Sequence, residues 1–170
     1  MSARSPRRPP SRGRWSRSGT IASETAAAVP ELRYFDASAL VKRYVAEPGA
    51  RRVRDLLSGG IAATSRLSEA EVASALCRRC REGAFPPEER DRALAALHRD
   101  FATLFVVELG PEVVSRAVAL LSRLALRAPD GIQLASCLDL RDRLGAPCLF
   151  VCADHRLIAA ARQEGLATAP

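Results

Sequence analysis

The chain has 170 residues, 48% of them apolar, with two His, five Cys and a formal net charge of +7, enough for one domain around one buried core and too little for two. The charge does not mark a nucleic-acid-binding face, because residues 1 to 30 hold six Arg against one Glu and leave 20 Lys+Arg against 18 Asp+Glu in the remainder. No apolar stretch approaches the roughly 20 residues of a membrane span, and an odd number of cysteines set inside apolar runs reads as reduced thiols of a cytoplasmic protein.

Met1 to Pro30 mixes Arg, Ser, Pro and Ala with one Trp, and such a segment buries too little surface to offset its ordering entropy. We therefore expect a disordered basic extension over 1–30 and one domain over 31–170. The extension lacks the apolar stretch of a secretory signal, although Arg- and Ser-rich, acid-poor composition is shared with organellar transit peptides. An upstream extension of the reading frame, ahead of a start near Leu32, accounts for it equally well.

From Leu32 onward, strand and helix patterns alternate. Leu32 to Asp36 predicts a short strand, and Ser38 to Ala46 and Pro48 to Leu57 predict helices, the second opened by its proline. Ile61 to Thr64 is a second strand, followed by a helix over Ser68 to Arg81. Pro86-Pro87-Glu88-Glu89 opens another helix, whose stripe Leu94, Leu97, Phe101 has helical spacing and takes His98 along as a packing residue. Leu104 to Leu109 is a third strand, Pro111 to Leu126 and Asp130 to Leu144 are helices, and Cys148 to Ala153 is a fourth strand. His155 to Gly165 closes the pattern as a helix ended by its glycine, with Leu166 to Ala169 as a last edge strand. Apolar strands alternating with helices imply an α/β fold: a three-layer α/β/α sandwich around a mainly parallel sheet of four or five strands.

Acids recur where strands give way to helices: Asp36, then Glu69 and Glu71, then Asp130, then Asp154. Each has a purely structural explanation. Ser68-x-x-Glu71 fits a capping box, Asp130-x-x-Gln133 fits the same device, and Asp36 and Asp154 suit helix N-caps. Independent caps, however, have no reason to converge on one edge of one sheet, which is where ligands of such sheets gather. Two carboxylates about 4 Å apart repel by roughly 4 kcal/mol at an effective dielectric near 20, so a cluster of them takes up protons or recruits a divalent ion. Oxygen donors without His or Cys select Mg2+, with Mn2+ as a substitute, and the chemistry that follows most directly is metal-assisted phosphodiester hydrolysis. Cys77-x-x-Cys80, with Cys148 and Cys152, has the look of a zinc site, but the pair continues an apolar helix face and packing is the better account.

The run Tyr34-Phe35-Asp36-Ala37-Ser38-Ala39-Leu40-Val41-Lys42-Arg43-Tyr44 followed by Glu47-Pro48-Gly49 resembles the opening of the PIN-domain ribonucleases, most closely their VapC-type toxins. Ser65 to Leu76, Leu126 to Ala135 and Phe150 to Leu157 are similar to the family's later motifs, so the resemblance spans residues 32 to about 166. It selects Glu71 over Glu69, because the family's carboxylate directly precedes the Val-x-Ser-Ala-Leu run. It implies a site of Asp36, Glu71, Asp130 and Asp154 holding one or two Mg2+ ions, with Ser38 supporting a ligand carboxylate or a bound water. It further implies endonucleolytic cleavage of RNA, a homodimer and an inhibitory antitoxin in a type II toxin-antitoxin pair. Pro129, Gly131 and His155 depart from the usual pattern. Lys42, Arg43, Arg78, Arg79 and Arg81 read as solvated faces before they read as RNA contacts.

Other classes lack their residues. A dehalogenase-type phosphatase needs an Asp where Ser38 stands, a receiver switch needs a late lysine and none follows Lys42, and neither a nucleophile elbow nor a phosphate-binding glycine loop is present. The alternative left open is a catalytically silent PIN-like scaffold that binds RNA or a protein partner.

Overall fold

Leu32, Tyr34 and Phe35 are all buried, as a strand covered on both faces requires, and they form β1 (Leu32–Phe35) at the centre of the sheet. The computed structural model describes residues 31–170, so the expectation for 1–30 lies outside the described residues. Around β1 run β2 (Ile61–Ser65), β3 (Phe105–Val107), β4 (Cys148–Val151) and β5 (Ala167–Ala169), all parallel, in the order β3-β2-β1-β4-β5. The register aligns Leu32 with Ile61 on one side and with Cys148 on the other.

Helices cover both faces. On one lie α1 (Ala37–Leu40), continued by a 3-10 turn over Val41–Arg43, then α2 (Ala50–Ser58), α3 (Arg66–Arg81) and α4 (Pro87–Phe101). They bury Leu40, Val53, Val72, Leu76, Leu97 and Phe101 with Phe35. On the other lie α5 (Pro111–Leu121), α6 (Ala128–Leu144) and α7 (His155–Gln163), whose apolar side chains pack on Tyr34 and on Phe150, the two rings stacked at 5.7 Å. The three-layer α/β/α sandwich is as expected, with five strands.

Several boundaries differ, each for a local reason. Pro48 does not open α2: Gly49 takes φ +88°, a left-handed turn that suits glycine, and the helix begins at Ala50. Ser65, not Ser68, caps α3, its Oγ accepting the Leu67 N–H at 3.2 Å. Ser68 therefore lies inside the helix, fully buried, and the capping box expected between it and Glu71 does not form. Helix α6 starts at Ala128 rather than Asp130, and α5 stops at Leu121. His98 does not pack with Leu97 and Phe101; its side chain is 86% exposed and stands 3.8 Å from Glu69. Gly165 ends the last helix as predicted, at φ +75°, which turns the chain into β5.

The strand order positions the site. The chain fills one side of β1 with β2 and β3 and then crosses to the other side with β4 and β5, so the order reverses at β1. The crevice of such a sheet lies at the carboxyl ends of the strands flanking that reversal, and the residues entering it directly are those that follow β1 and β4.

Candidate active site

Asp36 is the first residue beyond β1, fixed by its own N–H donating to the Val151 carbonyl of β4 at 3.0 Å. Its extended backbone makes it the N-cap of α1, so its Oδ2 accepts the Ser38 N–H at 3.0 Å, and it also accepts the Ser38 hydroxyl and the Cys152 thiol. The residue is 5% exposed. Burial pushes its carboxyl above the usual carboxylate range, against the opposing pull of the Ser38 and Cys152 hydrogen bonds. Ser38 Oγ in turn accepts the Ala153 N–H at 2.9 Å. One hydroxyl thus joins the acid after β1 to the loop that carries Asp154.

Glu71 lies on the second turn of α3, in the same helical layer as α1. Its Oε2 accepts the amide of Gln133 at 2.6 Å. Burial raises its carboxyl first, the Gln133 hydrogen bond opposes that rise, and the charges of Asp36 and Asp130 add to it. Those two acids are therefore electrostatic neighbours of Glu71 although they arrive on β1 and α6. Glu69, two residues earlier, turns outward to Arg66 at 2.9 Å.

Asp130 sits in the first turn of α6, half-buried, where its Oδ2 accepts the Arg127 N–H at 3.3 Å. It acts as the back-reaching acid of this helix start and not as its cap. Asp154 caps α7, its Oδ1 accepting the N–H groups of Arg156 at 2.7 Å and Leu157 at 3.2 Å. The capping roles anticipated for Asp36 and Asp154 are thus real, and the cap hydrogen bonds fall on Oδ2 of Asp36 and on Oδ1 of Asp154. Among the described residues, no three His, Cys, Asp or Glu side chains gather closely enough to hold a metal ion between them.

A groove of about 630 Å3 opens beside these acids, lined by Ser38, Glu71 and Ala153 and by Lys42, Arg78 and Arg79. Its cations do not neutralise the acids: Arg79 pairs with Glu47, and Lys42 stands 3.9 Å from the same carboxylate.

Two residues of the site escape a reading of the sequence. Gln133 looks like the fourth member of an Asp130 capping box, yet it is 1% exposed and bonded to Tyr34, Ser68 and Glu71. Cys152 looks like an ordinary small hydrophobe, yet its thiol lies 3.4 Å from Asp36 Oδ2. For the glutamine the one signal is a polar side chain inside the apolar run Ile132, Leu134, Ala135; for the cysteine there is none.

A family model described as PIN domain matches residues 33–165. The chain is 37% identical over 145 residues to Ribonuclease VapC45 of Mycobacterium tuberculosis, an alignment covering 82% of this chain and 95% of that protein. Its fold is similar to that of the solved VapC20 of Mycobacterium tuberculosis, described as a toxin that cleaves the sarcin-ricin loop, with TM-score 0.57 and 17% identity over 75% of this chain and 94% of that one. It is also similar to VapBC2 from Rickettsia felis, solved bound to a fragment of promoter DNA, with TM-score 0.58 and 10% identity over 81% and 97% of the two chains.

Proposed function

Because the chain belongs to the PIN domain family, we propose that it is a divalent-cation-dependent endoribonuclease that hydrolyses RNA phosphodiester bonds and serves as the toxin of a type II toxin-antitoxin pair. The observation that carries this reading is the buried Asp36 at the reversal point of the sheet, together with Glu71, whose carboxyl is pushed up first by burial and then by the charges of Asp36 and Asp130. A buried carboxyl with the charges of two other acids acting on it is a costly arrangement for a merely structural element. Such acids suit Mg2+ or Mn2+, which take hard oxygen donors. Asp36, Glu71, Asp130 and Asp154 are the candidate ligands; since no three of them gather closely among the described residues, one or two would touch the ion directly and the others would act through its bound waters. Once bound, the ion supplies an activated water and stabilises the charge that develops on phosphate and leaving oxygen.

The protein's own contribution is placement. Ser38 holds Asp36 in one rotamer and fixes the Ala153 backbone beside it, so the acids after β1 and β4 keep a constant spacing. The groove carries Lys42, Arg78 and Arg79 up to Glu71 together with Glu47, and an RNA strand's phosphates would exchange with Glu47 for Lys42 and Arg79. Replacing Lys42 and Arg79 together by Ala is expected to raise KM more than it lowers kcat, and to flatten the dependence of log KM on log[KCl] by about 0.7 for each RNA phosphate no longer neutralised. Charge changes at Glu88 and Glu89, at the start of α4 and outside this groove, should leave kcat/KM within about twofold of wild type. An antitoxin, supported by the toxin description of VapC20, and a second copy of the chain are the proposed protein partners. Co-purification with the product of an adjacent small reading frame, and sedimentation of the chain alone, test the two.

The lack of a three-acid cluster among the described residues favours a second reading, a silent PIN-like scaffold that binds RNA or protein without cutting. Cleavage of structured RNAs with and without Mg2+, with Asp36→Asn and Asp130→Asn as controls, separates the two. Magnesium-dependent cutting lost in both variants supports the nuclease. No cutting by wild type on any RNA supports the scaffold, and unchanged cutting by both variants places the activity elsewhere.

A further inference from the structure

Gln133 is fully buried, and its amide makes hydrogen bonds to side chains of two other elements at once. Its Oε1 accepts the Tyr34 hydroxyl of β1 at 2.8 Å, and its Nε2 donates to Ser68 Oγ at 2.9 Å and to Glu71 Oε2 at 2.6 Å, both on α3. Ser68 extends the chain through its hydroxyl, 2.8 Å from Thr64 Oγ1, and Thr64 Oγ1 donates to the carbonyl of Phe35, the last residue before Asp36, at 2.7 Å. Gln133 itself stands one turn after Asp130 on α6. A single side-chain amide therefore spans the elements that carry Asp36, Glu71 and Asp130, and it does so beyond the sheet edge, where α3 and α6 from opposite layers meet.

The orientation of that amide is fixed by chemistry. Turned over, it would set its carbonyl oxygen against the Glu71 carboxylate and take from the Tyr34 hydroxyl the oxygen that accepts its proton. With Nε2 towards Glu71, one oxygen of a carboxylate that lines the groove is held in place. On the strength of the nuclease reading, we propose that Gln133 is a positioning residue that presents Glu71 to the divalent cation, so that cation affinity depends on a buried amide that never touches the ion.

The test uses the whole chain without RNA and Mn2+ as the probe, titrated while the electron-paramagnetic signal of free Mn2+ is followed, in wild type, Gln133→Leu, Gln133→Asn and Ser68→Ala. Asn keeps an amide but is one methylene too short to reach both Tyr34 and Glu71. Ser68→Ala removes another partner of Gln133 while leaving its contact with Glu71. The expected result is a roughly 10- to 100-fold loss of Mn2+ affinity in both Gln133 variants, the range for groups supporting a metal ligand, with Ser68→Ala within about threefold of wild type. A matching rise in the Mg2+ concentration for half-maximal cleavage, with kcat recovering at high Mg2+, is the kinetic counterpart. Wild-type affinity in Gln133→Asn, or an equal loss in Ser68→Ala, would overturn the positioning role and leave the nuclease reading intact. A wild-type chain that binds no Mn2+ would overturn both.

Discussion

Asp36→Asn is expected to reduce RNA cleavage about a thousandfold or more while leaving a fold at least as stable as the wild type at neutral pH. The first half follows from the loss of the most buried acid of the site: metal-ion stabilisation of a phosphoryl transition state amounts to several kcal/mol, and each 1.36 kcal/mol is a factor of about ten in rate. The second half follows from linkage. Burial holds the Asp36 carboxyl above its unfolded value, so ionising it is costlier in the folded protein than in the unfolded chain. Its favourable contribution is complete below the unfolded pKa of about 3.9 and is lost as the pH rises through the higher folded value. Asparagine is never ionised and remains a good N-cap. The stability advantage of the variant, measured by thermal melts in EDTA, should therefore be widest near pH 7 and close as the pH approaches about 4. Added Mg2+ should reverse the order, because only the wild type gains binding energy on folding. A variant that melts well below wild type at neutral pH in EDTA would show that the carboxylate serves the fold and not the ion.

Asp154 permits a cleaner separation of the two roles, since its capping contacts are explicit: Oδ1 receives the N–H groups of Arg156 and Leu157. Asn caps as well as Asp, whereas Ala costs about 1 kcal/mol. If Asp154 lends its second oxygen to the cation, Asp154→Asn and Asp154→Ala should lose activity to a similar extent, on the order of a hundredfold for a ligand shared with waters, and only Ala should lower the melting temperature. Full activity in Asp154→Asn at saturating Mg2+ would reduce the residue to a helix cap. Both substitutions remove the anionic oxygen, and only one of them removes the cap, so melting temperature and turnover report the two roles independently.

The acids and their helix starts are legible in the sequence because both capping and metal binding draw on short acidic side chains at strand-to-helix junctions. Residue type and spacing therefore offer two explanations for each position without apportioning them. The structure divides them unevenly. It removes the Ser68–Glu71 capping box, since Ser65 caps α3 instead, and leaves Glu71 bound to Gln133, with its burial and the nearby charges of Asp36 and Asp130 to account for. It confirms caps at Asp36 and Asp154, through Oδ2 of the first and Oδ1 of the second. Gln133 is beyond assignment from sequence, because a Gln three residues after an Asp looks like a local device, while its actual partners are 62, 65 and 99 residues away. The exposure of His98 is hidden for a related reason: the positions flanking an apolar stripe are decided by the exact face that α4 turns to α3, and periodicity fixes that face only to within a residue.

What the sequence alone determined was the alternation of apolar strands with helices, and so a parallel sheet covered on both faces, together with which acids stand at helix starts. These are properties of neighbouring residues, set by backbone periodicity and by the hydrogen-bonding needs of helix ends. Tertiary structure alone decided that the chain crosses β1 between β3 and β4, that Glu71 and Asp130 meet from opposite layers, and that a buried amide joins their helices. Those outcomes depend on contacts between segments far apart in the chain, where the free energy lies in close packing and in satisfying every buried polar atom, and no local pattern of residues records them.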